Sequence, residues 1–182
     1  MQFHPTSLPA VWLIELEPRK DERGFLLRTY CEEEFARHGL KTHWPQCNLT
    51  LTTQRGMLRG LHYQADPNPE TKLVRCVAGA VWDVVVDIRP NSPTFRKWEA
   101  FELTSENNRQ LYIPEGYAHG FQCLTEDCKL FYQMSENYVP ELARGVLWND
   151  PAVAIDWPVQ PAILSSRDAN LPPLQSGLPT GQ

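Results

Sequence analysis

The sequence predicts an all-β fold, an antiparallel sandwich or jelly roll with a few short peripheral helices. Short runs of β-branched and aromatic residues recur at regular intervals, with turn residues between them. Sixteen prolines and ten glycines are scattered along the 182 residues, which favours short strands over long helices. A chain of this length buries its own core as one domain. We expect that domain at residues 1–170 and a Pro/Gly-rich tail at 171–182.

Each element is predicted from its local pattern. One helix is expected at residues 32–38, because Gly39 supplies a stop. The strand at 80–88 alternates so regularly that its even-numbered residues share one face and its odd-numbered residues share the other. In chain order, the predicted strands are 11–15, 24–29, 46–52, 60–64, 72–77, 80–88, 97–103, 110–113, 120–124 and 129–134.

Composition excludes several classes of function. The net charge of -5 and the lack of a Lys/Arg run argue against non-specific binding to nucleic acid. No apolar run approaches the roughly 18 residues of a membrane span, and the first residues do not read as a secretory signal. The five cysteines form no CxxC pair, so we expect reduced thiols in a cytoplasmic protein.

Residues 55–72 place Arg59, His62 and Lys72 on one short segment. Arginine suits a phosphate, neutral histidine takes a proton, and lysine stabilises a developing negative oxygen. Together they indicate proton transfer on an anionic substrate, although Arg59 and Lys72 taken singly also fit a solvated surface. A regular strand would point Arg59 and His62 to opposite faces. They share a site only if the strand is irregular, and Gly60 is the candidate for a bulge.

His119 ends the segment PEGYAH at 114–119, which resembles the second metal-binding motif of the cupin jelly rolls. The first cupin motif normally supplies HxH, whereas this chain reads HYQ at 62–64. The amide of Gln64 is a poor replacement for an imidazole ligand. We therefore expect a jelly roll without its metal site, which leaves His62 free to act as a base.

Two residues further along the chain supply the missing partners for a histidine base. Tyr132 lies in a predicted strand, where it either packs against the sheet or serves as a general acid. Asp168 either belongs to a surface turn or orients the imidazole and stabilises its charged form.

Ordered motifs along nearly the whole chain match one family. They are DxRGF at 21–25, QxN at 46–48, LRGLHYQ at 58–64, KLVR at 72–75, DVVVDIR at 83–89, SPTF at 92–95, IPxGxAHGF at 113–121 and WNDP at 148–151. In these motifs the chain resembles the dTDP-4-dehydrorhamnose 3,5-epimerases, which are sugar-nucleotide epimerases of the cupin superfamily. The resemblance implies a cupin-type jelly roll acting on a nucleotide-linked 4-keto-6-deoxy sugar.

The resemblance also implies roles for individual residues. His62 would be the base, Asp168 its partner, Lys72 the stabiliser of the enolate, and Tyr132 the acid on the opposite face. The implied substrate-binding residues are Arg23, Phe25, Arg28, Gln46, Asn48, Arg59, His119, Tyr138 and Arg167. No metal or redox cofactor is required for this chemistry. A homodimer with an exchanged N-terminal strand is implied as well.

This chain departs from the family at two positions, where Arg28 and Ala143 replace the usual glutamates. The catalytic set is intact, so these changes favour an altered substrate over lost chemistry. The alternatives are inversion of one carbon only, a CDP- or GDP-linked substrate, a metal-dependent cupin enzyme using His62 and His119, and a sugar-nucleotide-binding cupin without catalysis.

Overall fold

The computed structural model describes residues 1–160 and 162–174 and consists mainly of antiparallel strands. Strands β1 to β13 are, in order, Gln2–Pro5, Trp12–Glu15, Arg19–Asp21, Gly24–Leu26, Gln46–Thr52, Leu58–Gln64, Lys72–Ala78, Ala80–Asp87, Trp98–Thr104, Arg109–Ile113, Tyr117–Cys123, Cys128–Met134 and Ala143–Gly145. The helices are α1 at Glu32–Arg37, α2 at Ser166–Ala169 and a 3-10 turn at Pro140–Leu142.

Two sheets form the layers of a jelly roll, and β3 and β4 form a separate hairpin. The larger sheet has the order β1-β2-β10-β7-β12-β5, and the smaller has the order β13-β6-β11-β8-β9. Val74 and Leu130 of the larger sheet share one buried cluster with Val85 and Phe121 of the smaller sheet. This cluster is the core between the layers, and the predicted fold class is confirmed.

Strand β8 is buried on both faces. Val81 and Val85 face the core between the sheets. Val84 and Val86 pack on the other side against Trp157, which lies on the segment that follows the last strand. The C-terminal segment covers the outer face of the smaller sheet and leads to α2, which lies against β6.

Helix α1 covers part of the outer face of the larger sheet. The helix is too short to be stable alone, and its Phe35 is fully buried beside Phe3, Tyr30 and Tyr112. Burial of one phenylalanine contributes about 1.5–3 kcal/mol. Helix α1 ends at Arg37 with His38 as its C-cap, close to the predicted end.

Every predicted strand is present, with ends displaced by a few residues at most. The strand predicted at 24–29 is shortened to Gly24–Leu26, and the strand predicted at 120–124 begins three residues earlier, at Tyr117. Strands β1, β3 and β13 and helix α2 were not predicted. These elements are three or four residues long. Such short segments do not establish a hydrophobic period, and their partners lie elsewhere in the fold.

The start of the predicted tail packs against the domain. Leu147 donates its backbone N–H to the Pro172 carbonyl, and Leu174 is buried in the cluster on the outer face of the smaller sheet. The rest of the predicted tail, 175–182, lies outside the described residues. Within the described residues, no helix is long and apolar enough to cross a membrane.

Candidate active site

Four strands bring polar side chains together between the two sheets. His62 of β6 lies directly opposite His119 of β11. The His119 ring lies 6.3 Å from the Tyr132 ring of β12, in an edge-on arrangement. Lys72, at the start of β7, donates from Nζ to the His62 carbonyl oxygen at 3.4 Å. Four of the predicted site residues therefore form one cluster, which we call the inter-sheet site.

A bulge at Gly60 allows Arg59 and His62 to share this site. Arg59 pairs with Phe121 and His62 with His119, so two residues of β6 stand opposite one residue of β11. Gly60 has a φ of +124°, and a Cβ there would lie 2.6 Å from the Gly120 Cα. Only glycine tolerates this backbone and this close approach. The predicted irregularity is confirmed, and it removes the parity conflict.

His62 and Asp168 form a hydrogen-bonded pair at the centre of the site. The Nε2 of His62 lies 2.8 Å from Oδ1 of Asp168, and the other carboxylate oxygen accepts the Gly60 N–H at 3.2 Å. The His62 side chain is 35% exposed, whereas that of Asp168 is 6% exposed. Burial tends to raise the pKa of Asp168, but the bonds from His62 and Gly60 outweigh it and lower the pKa below its usual value.

The sequence does give a reason for the position of Asp168. It lies in α2, whose N-cap Ser165 accepts a bond from the Asp168 N–H at 3.1 Å. A capped turn fixes the backbone and therefore the carboxylate. Arg167 precedes it on the exposed side of the turn, and its charge also favours the ionised Asp168.

His119 is held by a second carboxylate. Its Nε2 lies 2.9 Å from both oxygens of Asp83, and the two side chains are 5% and 0% exposed. Asp83 was not among the predicted site residues. The sequence feature that points to Asp83 is a carboxylate between Val81 and Val85 on one face of the strand. Buried charges in proteins are nearly always paired, so such a residue is expected to have a partner.

Tyr132 presents its phenol from the opposite sheet. Its side chain is nearly buried, at 8% exposure. Burial is the main cause that raises the pKa of Tyr132, and the Asp83 carboxylate adds to it, while Thr50 and Arg59 act against it. The phenol therefore keeps its proton throughout the neutral range and is able to donate it.

Arg59 spans the two sheets at the edge of the site. It donates from Nε to the Thr52 hydroxyl at 2.9 Å and from Nη2 to the Leu51 carbonyl at 3.1 Å. A guanidinium has five donors, so these two bonds fix the side chain and leave donors for an anion. The residue is exposed, so these donors are accessible from solvent.

Gln46, Asn48 and Tyr138 line a second part of the site, beyond Tyr132. On β5, Gln46 pairs with Met134 and Asn48 pairs with Tyr132 of β12. The Gln46 side chain accepts the backbone N–H of Tyr138 at 2.9 Å. Tyr138 is 53% exposed, so its ring is available to a ligand.

Gln64 ties the Tyr138 loop to β6. Its amide donates to the carbonyls of Asn68 at 2.7 Å and Asn137 at 3.2 Å, and accepts from the Val139 N–H at 2.9 Å. Ala143 lies opposite Gln64 on β13. Gln64 therefore fixes a loop, a role that the HxH comparison did not suggest.

The residues do not fit a cupin metal centre. Gln64 uses its amide on backbone groups, and His62 and His119 each place Nε2 on a carboxylate. No group of three or more His, Cys, Asp or Glu side chains suited to a metal lies within residues 1–160 and 162–174.

Three predicted binding residues lie away from the inter-sheet site. Arg23 is paired with Asp21 at 2.6 Å inside the β3–β4 hairpin, and Phe25 is 63% exposed. Arg28 is paired with Glu34 at 3.3 Å and lines a cavity of about 320 Å³ whose walls include none of the predicted catalytic residues. Within the described part of this one chain, these three residues have no contact with the catalytic set.

Comparison with known proteins relates this site to one family. The family model for dTDP-4-dehydrorhamnose 3,5-epimerase matches residues 5–176. The dTDP-4-dehydrorhamnose 3,5-epimerase of Shigella flexneri is 45% identical over 171 residues, which cover 93% of this chain and 94% of that protein.

Two solved structures have the same fold as this chain. The Bacillus anthracis str. Ames dTDP-4-dehydrorhamnose 3,5-epimerase with TDP and PPi bound gives a TM-score of 0.92 at 38% identity, covering 95% of this chain and 99% of that one. The Legionella pneumophila Philadelphia 1 dTDP-6-deoxy-D-glucose-3,5-epimerase in complex with dTDP-4-keto-L-rhamnose gives 0.90 at 38% identity, covering 95% and 92%.

Proposed function

The chain belongs to the dTDP-4-dehydrorhamnose 3,5-epimerase family, and we propose that it inverts a dTDP-linked 4-keto-6-deoxy sugar in rhamnose-type deoxysugar biosynthesis. It is an isomerase. The observation that carries the assignment of roles is the His62–Asp168 pair at 2.8 Å, placed in the same site as Tyr132. A CDP- or GDP-linked substrate has less support, because the named relatives act on dTDP sugars.

His62 removes the proton next to the sugar ketone. The 4-keto group acidifies the neighbouring C–H bonds, so a neutral imidazole is a sufficient base. Asp168 orients the ring and stabilises the imidazolium that forms. A positioned acid–base group contributes typically about 10²–10⁴-fold to the rate.

Lys72 and Tyr132 complete the inversion. The Lys72 ammonium stabilises the enolate oxygen that develops when the proton leaves. Tyr132 then returns a proton to the carbon from the opposite face, because it lies on the other sheet from His62. One proton is removed and one is added, so the oxidation state does not change and the chemistry needs no redox or metal cofactor.

The nucleotide diphosphate binds along the edge of the inter-sheet site. Arg59 and Arg167 are exposed cations. Tyr138 offers an aromatic face at the Gln46 end of β5, the opposite end from Thr52, which Arg59 contacts. His119 lies deeper, where the sugar sits. Gln46 and Asn48 supply amide groups on the same face of β5.

A second copy of the chain brings the remaining binding residues. Arg23, Phe25 and Arg28 are exposed on or beside the β3–β4 hairpin, and an exposed phenylalanine suits an intermolecular contact. In a homodimer the hairpin of one protomer completes the site of the other. Strand β1 pairs with β2 of its own chain here, so the exchanged N-terminal strand stays a prediction. The five free cysteines support a cytoplasmic location.

Deuterium exchange tests the activity. The wild-type enzyme in heavy water incorporates label at C3 and C5 of dTDP-4-dehydro-6-deoxyglucose, followed by NMR. His62→Ala abolishes this exchange while the circular dichroism spectrum is unchanged. Exchange at a single carbon identifies a mono-epimerase, and loss of activity with a chelator identifies a metal enzyme. No exchange with any dTDP-, CDP- or GDP-linked 4-keto sugar would contradict the proposal.

A further inference from the structure

Lys72 is paired with a carboxylate that no motif marks. Its Nζ lies 3.1 Å from Oε1 of Glu70, and both side chains are 9% exposed. We propose that Glu70 is a positioning residue that keeps the Lys72 ammonium charged and directed at the ketone oxygen. This inference rests on the proposed function, in which Lys72 stabilises the enolate.

The surroundings of Lys72 make a counter-charge necessary. In the larger sheet it lies between Ile113 of β10 and Met134 of β12, which are both apolar. Tyr132 is two residues from Met134 on the same face of β12, and β6 presents His62. Glu70 is therefore the carboxylate that balances the ammonium. A buried lysine without such a partner loses its proton readily.

The backbone around Glu70 is fixed before substrate binds. The backbone carbonyl of the neighbouring Thr71 accepts a hydrogen bond from the Ser135 N–H at 3.0 Å. The Thr71 N–H donates to the Ser135 hydroxyl at 2.9 Å. Thr71 and Ser135 are both buried, at 1% and 6% exposure. The backbone next to Glu70 is thus held by the residue that follows β12.

Two contacts orient the ammonium. Glu70 and the His62 carbonyl approach it from different residues, and an ammonium has three N–H donors. At least one donor is left for a substrate oxygen. A fixed charge in a site shielded from water stabilises a developing anion far more than an exposed charge does. Removing the charge of Glu70 should therefore lower kcat more than it raises KM.

Glu70→Gln tests the charge without changing the size of the side chain. We expect kcat to fall about 10–100-fold, with the basic limb of the pH–activity profile moved to lower pH. Glu70→Asp should restore part of the activity. Glu15→Gln is the matched control, because it removes the same charge from a 2.9 Å ion pair with Arg109. Arg109 begins β10, whereas Ile113, the neighbour of Lys72, ends it.

A double-mutant cycle separates positioning from packing. In a Lys72→Met background, Glu70→Gln should have no further effect on kcat, because Glu70 acts through Lys72. Additive losses would overturn the inference. So would an unchanged Glu70→Gln enzyme, or a loss that is the same at every pH.

A spectroscopic titration keeps this test independent of activity. The Lys72 side-chain NMR signals should titrate at lower pH in Glu70→Gln than in the wild type, and identical titrations would overturn the inference. If the wild type itself shows no exchange with any 4-keto sugar nucleotide, the proposed function fails, while this titration still decides whether Glu70 holds the charge on Lys72.

Discussion

Asp168 stays charged in a place where burial opposes charge. Its side chain is 6% exposed, yet the His62 and Gly60 contacts keep its pKa below the usual value. A lowered pKa means that the folded state favours the carboxylate more than the unfolded state does. The stability from this pair is fully present above the unfolded pKa of about 4, and it is lost as the pH falls through the folded pKa.

Asp168→Asn should therefore affect both stability and rate. We expect unfolding free energy to drop by about 1.5–3 kcal/mol at pH 7, because a charged hydrogen bond is lost. Denaturant unfolding should show the difference from wild type narrowing below about pH 4. Epimerisation should slow by about 10²–10⁴-fold, because the imidazole loses its orientation and its counter-charge. A constant stability difference down to pH 2 would contradict an ionised Asp168 in the folded state.

Strand β6 depends on one irregular position. Gly60 combines a φ of +124° with a contact that leaves no room for a Cβ. This bulge is what places Arg59 and His62 on one side of the sheet. The geometry of the active site therefore depends on this bulge, because a regular strand would point Arg59 and His62 to opposite faces.

Gly60→Ala should lower unfolding free energy by about 2–4 kcal/mol, because it adds backbone strain and a steric clash. Gly24→Ala is the matched control: Gly24 has a similar φ of +130°, but nothing lies within 4 Å of its Cβ position. Urea unfolding of both variants isolates the clash from the strain. Equal losses in the two variants would mean that the close approach to Gly120 is not important.

The Tyr138 loop is an element held by side chains. Gln64→Leu leaves the Asn137 carbonyl and the Val139 N–H without their partner on β6. We expect KM to rise about 10-fold with a smaller change in kcat, because a free-energy loss of about 1–3 kcal/mol falls on binding. Steady-state kinetics check this, with Gln133→Leu on the outer face of β12 as the control. A loss confined to kcat would place Gln64 in the chemistry instead.

We propose that the protein works as a homodimer. The single chain holds His62, Asp168, Lys72 and Tyr132 in one site, whereas Arg23 and Phe25 are exposed on a separate hairpin. In a homodimer, the hairpin of one protomer would bring Arg23 and Phe25 to the catalytic residues of its partner. Light scattering at micromolar concentration should report a dimer.

Subunit mixing tests whether the hairpin acts on the partner. His62→Ala and Arg23→Ala/Phe25→Ala proteins are each nearly inactive, but after co-refolding they should recover about a quarter of wild-type activity, since half of the dimers are hybrids with one complete site. His62→Ala mixed with Asp168→Asn should recover none, because those residues pair within one chain. No recovery in the first mixture would show that the hairpin serves its own chain.

Sequence pattern alone was enough to predict most of the strands, the all-β class and the family. Alternation over 80–88 predicts the strand and which residues share each of its faces, because side-chain direction in a strand is set by local geometry. The ordered motifs were sufficient to recognise the family and to name His62, Lys72, Tyr132 and Asp168. Whether those residues carry the proposed roles is for the experiments to decide.

The partners of the polar groups depend on how the two sheets pack. Asp83 reaches His119 across the β8–β11 pairing, and Gln64 binds a loop some 70 residues further along the chain. Neither of these contacts has a local pattern, because each depends on strand register and on burial. The sequence names groups that are able to react, and the packing of the two sheets determines which partner holds each group in place.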